Sequence, residues 1–237
     1  TLTLHKDHTI CKHLLIHFSG GLTLRTHLLM NGSWHIYRQG EKWKRPASSA
    51  RVVVETEDFV AIAFDIQEAE LLTDAQLGRH DELSKLGPDL LNDAFKFEEV
   101  LPRARKRPGL TIAEALLNQR IASGIGNVYK SEALFLSGVN PFVPVSSLTD
   151  EQLGAIYETA KKVMRANVGD PRKSGIVTYT GYRRTTRNAN PEEKVWVYGR
   201  TGKPCRKCGT AIEMKRQGLD ARSTYWCPTC QPSGQRV

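Results

Sequence analysis

The sequence predicts an α+β fold in which antiparallel β-hairpins are followed by helices and then by a hairpin that carries four cysteines. Short, partly alternating apolar runs at 13–18, 22–29 and 33–38 are joined by Gly-Gly and Asn-Gly turns, a pattern typical of antiparallel hairpins. After about residue 67 the apolar residues take up helical spacing. Two Cys-x-x-Cys pairs then stand near the C-terminus.

A second pair of strands is predicted over 51–55 and 59–66, with the polar residues 56–58 as the turn between them. The polar segment 39–50 separates this pair from the first hairpins and is predicted to be a loop. Cys11 has no partner at a metal-binding spacing, and we interpret it as a small core or strand residue.

Helices are expected from residue 73 onward. Thr73 is predicted to cap a short helix, and 90–101 is predicted to be helical again. The segment 102–108, which begins and ends with proline and contains the basic run RARKR, is predicted to be a linker and a domain boundary.

The helices after this linker carry clear start signals. Thr111, with Glu114 three residues later, predicts a capping box, and Thr149 precedes two acidic residues. The predicted elements are helices over 111–122, 128–137 and 149–167, a weak helix or a loop after Asp170-Pro171, and a last strand over 194–199.

The charge balance favours a partner rich in phosphates. The 237 residues include 34 Lys and Arg against 25 Asp and Glu, which gives a net charge of +9. Basic residues are dense at 103–107, 183–187 and 200–222, whereas 53–100 is acid-rich, so a basic face is expected. No apolar run approaches the roughly 20 residues of a membrane span, and the N-terminus lacks a signal-peptide layout. These features predict a cytoplasmic protein with no membrane partner.

Four of the five cysteines follow the pattern C-x2-C-x18-C-x2-C. Two such pairs supply the four thiolates of a tetrahedral zinc site. The alternative, two disulfides, needs an oxidising compartment for which the sequence has no secretion signal. We therefore predict a structural zinc ion bound by Cys205, Cys208, Cys227 and Cys230.

The sequence contains two candidate phosphate-binding features besides the cysteines. Residues 211–226 are predicted to form a hairpin with Arg222 near its tip, where it binds a phosphate or is simply a solvated surface charge. The glycine-containing break at 123–127 exposes the N-terminus of the following helix, which suits an anion, although an ordinary turn between helices is the alternative. Asn127 is expected to cap this helix or to donate its amide to a phosphate.

Three stretches together resemble the formamidopyrimidine-DNA glycosylase and endonuclease VIII family. LNQRIASGIGNVYKSEALFLSGVNP is similar to its helix–two-turn–helix motif, and PCRKCGTAIEMKRQGLDARSTYWCPTCQ is similar to its zinc finger. CKHLLIHFSGGLTLRTHLLMNGSW resembles the stretch that begins at its catalytic-site lysine. The endonuclease VIII branch is closer, because 63–70 reads AFDIQEAE and contains no Arg-Arg-Phe-Gly.

The resemblance implies a base-excision repair enzyme that flips a damaged base out of the duplex, cleaves its glycosidic bond and nicks the strand by β,δ-elimination. It implies that Lys12 and Arg222 belong to the catalytic site, and that Met30 fills the gap left by the flipped base. It also implies that Asn127 and Arg222 bind phosphates beside the lesion and that Lys85 contacts DNA.

The same resemblance implies an incomplete antiparallel β-sandwich domain over 1–101, a helix–two-turn–helix DNA-binding domain over 102–192 and a zinc finger over 193–237. The implied partner is double-stranded DNA that contains a damaged base or an abasic site, bound by a monomer. A zinc-ribbon structural or transcription protein is the alternative of a different class.

Family members begin with Pro-Glu, in which the proline amine is the nucleophile and the glutamate is the acid, whereas this sequence begins Thr1-Leu2. Three hypotheses follow: an enzyme whose nucleophile segment is absent from this sequence, a non-catalytic protein that binds damaged DNA, and a catalyst with a substitute amine. An α-amine, with a pKa of about 8, is neutral more readily than an ordinary lysine at about 10.4. The substitute would therefore be the Thr1 amine, or Lys12 with a lowered pKa.

Overall fold

A computed structural model describes residues 4–10, 13–29, 31–168, 176–179 and 194–233, with the first of these ranges described by its backbone alone. The chain divides into two compact units, Thr1–Lys85 and Leu86–Val237. The first unit contains two antiparallel sheets, and the second contains helices and a two-stranded hairpin. The predicted α+β class is therefore confirmed.

The two sheets of the first unit are built mainly from neighbouring strands. The four-stranded sheet has the order β1-β2-β3-β7, and the three-stranded sheet has the order β4-β6-β5. Their strands are β1 (Leu4–Ile10), β2 (His13–Phe18), β3 (Leu22–His27), β4 (Ser33–Arg38), β5 (Ala50–Glu55), β6 (Phe59–Phe64) and β7 (Glu68–Thr73). The predicted pairings of 13–18 with 22–29 and of 51–55 with 59–66 are confirmed. The predicted hairpin between 22–29 and 33–38 is wrong, because the chain passes from one sheet to the other there: β3 pairs with β2 and β7, whereas β4 pairs with β6. The strand β1 was not foreseen. Two short helices follow, α1 (Asp74–Leu77) and α2 (Asp81–Ser84), the first capped by Thr73 as predicted.

The sequence did not predict β7, because residues after 67 were expected to be helical. The strand forms because Glu68 and Glu70 lie on one face of it and reach Arg25 on β3, at 3.1 Å and 2.7 Å. Residues two apart share a face in a strand but not in a helix. Arg25 is only 2% exposed, and a buried guanidinium needs such carboxylate partners.

The second unit packs four longer helices around one core. They are α3 (Phe97–Arg105), α4 (Ile112–Leu117), α5 (Asn127–Leu136) and α6 (Asp150–Arg165). The predicted capping box is present at Thr111 with Glu114. The helix predicted to begin at Thr149 is also present, and its capping box, formed by Thr149 with Gln152, was not foreseen. The hairpin β8 (Glu213–Gln217) and β9 (Arg222–Trp226) follows, as predicted from the cysteine-flanked segment.

The predicted linker at 102–108 is wrong, because α3 continues through Pro102 to Arg105. Val100 and Ala104 are fully buried in the core, and this burial outweighs the one backbone hydrogen bond that Pro102 cannot donate. The helix also begins later than expected. Asp89 and Asn92 accept hydrogen bonds from backbone N–H groups two residues further on, which favours turns over helix in this stretch.

The predicted strand over 194–199 is also wrong, since these residues form turns. The backbone N–H groups of Trp196, Val197 and Tyr198 donate instead to the carboxylate of Glu132 on α5. The predicted division at 101/102 and 192/193 stays a prediction, as does the element after Asp170, which lies outside the described residues. No helix within the described ranges is long and apolar enough to cross a membrane.

Candidate functional site

The four predicted cysteines converge on one point. Their Sγ atoms all lie within 4.8 Å of one another, with Cys208 and Cys227 separated by 3.4 Å and Cys205 and Cys230 by 3.9 Å. A tetrahedral zinc ion with bonds of about 2.3 Å requires sulfur atoms about 3.8 Å apart. The donor set therefore fits a closed structural zinc site without an open position for catalysis.

The backbone around the cysteines supports thiolate ligands. The N–H groups of Lys207 and Cys230 each donate to a cysteine sulfur, Cys205 Sγ and Cys227 Sγ, at 3.4 Å. Such donors offset the negative charge of a thiolate. Cys205 and Cys227 are also nearly fully buried, so the zinc site forms part of the core beneath the hairpin.

The hairpin is held against α5 by Lys130. This lysine is fully buried, and its Nζ donates to Ser223 O at 2.9 Å and to Thr224 Oγ1 at 2.8 Å, both on β9. It also donates to Asn127 Oδ1 at 2.7 Å. Burial, together with the positive charge of Arg222, lowers the pKa of Lys130 to about 7.

Glu132 makes the second buried connection between α5 and the zinc finger. Its Oε1 accepts from the N–H groups of Val197 and Tyr198 at 2.9 Å, and its Oε2 accepts from Trp196 N at 2.8 Å and from Thr178 Oγ1. The carboxylate thus fixes the chain segment that leads into the finger. Further along, Gln231 is bonded to the loop that follows α5, through Val139 O at 2.7 Å.

The turn before α5 leaves the start of that helix open. Gly124 has a φ of +103°, a region that favours glycine, and the side chain of Gln119 bridges the turn by accepting from Gly124 N and donating to Ile125 O. Gly126, rather than Asn127, is the N-cap residue, and no side chain caps the helix there. The first N–H groups of α5 and their dipole are therefore available to an anion.

Asn127 and Arg222 come together at this helix start, although 95 positions separate them in the sequence. Asn127 is the first residue of α5, and its Nδ2 lies 3.4 Å from Oγ of Ser223, the residue next to Arg222. The Arg222 side chain is 56% exposed and lies 3.7 Å from Asp220. A neutral amide donor, an exposed guanidinium and an open helix start are a combination that binds phosphates.

The other predicted site residues, Lys12, Met30 and Lys85, belong to the first compact unit. Lys12 and Met30, like Cys11, lie outside the described residues. Lys85 belongs to the first unit, where its exposed side chain donates to Asp81 at 2.6 Å. Sequence reasoning missed the burial of Lys130 and overlooked Glu132. The available signal was the presence of two charged residues, Lys130 and Glu132, in a helix whose other residues are mostly apolar.

Comparison with known proteins places the chain. The helix–two-turn–helix domain model of formamidopyrimidine-DNA glycosylases matches residues 86–178, and the model of the zinc finger found in these enzymes and in isoleucyl-tRNA synthetases matches 202–232. The probable endonuclease 8 2 of Streptomyces coelicolor is 40% identical over 93% of this chain and 76% of its own length. This chain belongs to the formamidopyrimidine-DNA glycosylase and endonuclease VIII family.

Two further similarities agree with this membership of the family. The DNA-(apurinic or apyrimidinic site) lyase Nei2 of Mycolicibacterium smegmatis is 37% identical over 93% of this chain and 79% of its own length. The crystal structure of a Lactococcus lactis formamidopyrimidine-DNA glycosylase bound non-covalently to DNA with an abasic site superposes with a TM-score of 0.77. That match covers 98% of this chain and 82% of the other at 20% identity, and it shows the shared fold.

Proposed function

We propose that this chain is a base-excision repair DNA glycosylase and AP lyase that binds double-stranded DNA at a damaged base or an abasic site. It would act in the compartment that holds the DNA, which is the cytoplasm in a bacterium. The observation that carries the proposal is the convergence of Asn127 and Arg222 at the uncapped start of α5.

Asn127 and Arg222 are suited to two different parts of phosphate binding. The guanidinium of Arg222 attracts a phosphate and releases condensed counterions. The amide of Asn127 donates a hydrogen bond without adding charge, so it fixes position more than it adds attraction. Because one group is on a helix and the other on a zinc-supported hairpin, a phosphate held by both is oriented relative to both elements.

Three further roles belong to the proposal by family membership. We assign Lys12 to proton transfer near the sugar, Met30 to the gap left by the flipped base, and Lys85 to a DNA contact. An apolar, flexible methionine suits a void in the base stack. Strand cleavage would begin with attack of a neutral amine on C1′ of the sugar, which displaces the damaged base or, at an abasic site, releases the aldehyde oxygen as water, and so forms a Schiff base. Loss of a proton from C2′ then expels the 3′ phosphate by β-elimination, and a further proton loss expels the 5′ phosphate by δ-elimination.

Borohydride trapping tests this proposal. The purified protein is incubated with a duplex that contains an abasic site, in the presence of sodium borohydride, and any protein–DNA adduct is mapped by mass spectrometry. The same duplex without the abasic site and a Lys12→Met variant are the controls. We expect a covalent adduct and nicking only on the abasic duplex.

The site of the adduct identifies the nucleophile. An adduct that maps to Lys12 assigns the attack to Lys12. An adduct that maps to another amine and is weakened in Lys12→Met assigns the attack to that amine and proton transfer to Lys12. Selective binding to the abasic duplex without an adduct would reduce the function to recognition of damaged DNA. Equal binding to both duplexes, with neither adduct nor nick, would overturn the proposal.

A further inference from the structure

We propose that Lys130 is a positioning residue that sets which end of the Asn127 amide faces DNA. The inference rests on the proposed function of Asn127 as a phosphate ligand. It concerns a buried side chain that does not itself reach the surface, since Lys130 is 0% exposed.

The orientation follows from the chemistry of the two groups. Lys130 Nζ donates to the carbonyl oxygen Oδ1 of Asn127 at 2.7 Å, and in its protonated form, with three donors and no acceptor, it accepts no hydrogen bond from the NH2 end of the amide. The NH2 end of the amide is then directed away from Lys130. A phosphate oxygen accepts hydrogen bonds and never donates one when ionised, so only this orientation of the amide binds it.

The Asn127 amide nitrogen has hydrogen-bonding capacity left for a phosphate. Within the described part of the chain, Asn127 Nδ2 contacts Ser223 Oγ alone, at 3.4 Å, which is a long and weak hydrogen bond. The amide has two N–H groups, so at least one is available. Without Lys130 the amide could turn over and present its oxygen, which repels a phosphate.

The other two donors of Lys130 explain why it holds its place. They bind Ser223 O and Thr224 Oγ1, so a single ammonium connects the first turn of α5 with the strand that begins at Arg222. Asn127 and Arg222 are therefore positioned by one buried group, and the amide orientation is coupled to the docking of the hairpin.

Affinity for a duplex with a tetrahydrofuran abasic-site analogue tests this inference in Lys130→Met, Asn127→Ala and the double variant. We expect Lys130→Met to weaken binding about 10-fold, which corresponds to a lost hydrogen bond to a charged group. Asn127→Ala should cause a similar loss, and the double variant should be no worse than the single ones. The salt dependence of binding should stay unchanged in Lys130→Met, because this lysine does not contact phosphate.

Asn127→Asp gives a second, independent readout. The carboxylate keeps an oxygen for Lys130 and so preserves folding, but it replaces the donor by an anion. We expect unchanged thermal stability and zinc content with binding weaker than that of Asn127→Ala. Glu132→Gln, which disturbs the same junction without touching Asn127, serves as the control, and its loss should add to that of Asn127→Ala.

Two results would overturn the inference. Additive losses in the Lys130→Met and Asn127→Ala pair would show that Lys130 acts through the fold alone, and wild-type affinity in Asn127→Asp would show that the nitrogen does not face DNA. Failure of the proposed function has a different signature, since wild-type protein would then bind the analogue and undamaged DNA equally.

Discussion

Arg222 is the charged member of the proposed phosphate site and the residue whose effect on binding is most easily separated from folding. Its side chain is more than half exposed, and its nearest described carboxylate, Asp220, is 3.7 Å away. An exposed pair at that distance contributes little to stability. The guanidinium is therefore free to exchange this weak interaction for a phosphate.

Arg222→Ala should weaken binding to the abasic-analogue duplex about 10-fold or more, because it removes a charge-assisted hydrogen bond. It should also lower the slope of log affinity against log salt by about one. Arg165→Ala is the matched control, because Arg165 is an exposed arginine that already pairs with Asp93 at 2.6 Å. An unchanged salt slope in Arg222→Ala would contradict the phosphate assignment.

His13 provides a prediction about pH. It is 3% exposed, its Nδ1 is buried without a hydrogen-bond partner in the described part of the chain, and its ring lies 4.3 Å from that of His27. Burial, with the charges of His27 and Arg25, lowers the pKa of His13 from 6.5 to about 4.

The unfolded chain therefore binds a proton at His13 that the folded chain does not accept between pH 6.5 and about 4. The associated stability is fully present above pH 6.5 and is lost as the pH falls towards 4, by roughly 3 kcal/mol. Urea unfolding as a function of pH measures this. His13→Gln should flatten the profile in that window, and an identical profile in both proteins would contradict the assignment.

At the scale of elements, the zinc finger is a small two-stranded hairpin that depends on its connections. A hairpin alone is marginally stable, and here the zinc ligands, Lys130 and Glu132 tie it to α5. The metal supplies the folding energy of the finger, and α5 supplies its position.

Cys227→Ser should therefore release zinc, unfold the hairpin and abolish preferential binding to the abasic analogue, since metal binding and folding are coupled. Zinc content by atomic spectroscopy and binding by fluorescence anisotropy measure the two effects. Cys11→Ser, at the cysteine outside the metal spacing, is the control and should retain one zinc ion per chain. Intact binding by zinc-free Cys227→Ser would contradict the role of the finger.

Some secondary-structure elements could be predicted from the sequence and others could not. The capping box at Thr111, the helix start at Thr149 and the hairpin between the cysteine pairs were predicted because their signals lie within a few residues of one another. β7 and the turns at 194–199 were not predicted because their decisive partners, Arg25 and Glu132, are more than 40 residues away. Long-range pairing of buried charges leaves no local periodic pattern.

The residues of the proposed phosphate site and of the zinc site also differ in how far the sequence predicts them. Cysteine spacing predicted the zinc ligands, and family motifs singled out Asn127 and Arg222. The role of Lys130 could not be predicted, because a lysine in the first turn of a helix is usually exposed. Only the approach of β9 to α5 explains its burial and its three acceptors.

At the scale of the whole molecule, the net charge of +9 explains attraction to any duplex but not a preference for a lesion. Not all of the basic residues at 103–107 are available to DNA. Arg105 forms hydrogen bonds within the protein, to Asp150 and to the carbonyl groups of Val145 and Leu148. The run at 183–187 lies outside the described residues. Selectivity for damaged DNA must therefore come from positioned groups rather than from the total charge.

The central claim is that Asn127 and Arg222 together recognise the phosphates of a lesion. The most direct test is the ratio of the dissociation constants for an undamaged duplex and for the same duplex with a tetrahydrofuran abasic site, measured at one salt concentration. We expect the wild-type protein to favour the abasic duplex by at least about 10-fold, and the Asn127→Ala/Arg222→Ala double variant, with zinc and thermal stability intact, to lose most of that preference. An equal affinity of the wild-type protein for both duplexes, or a full preference retained by the double variant, would contradict the claim.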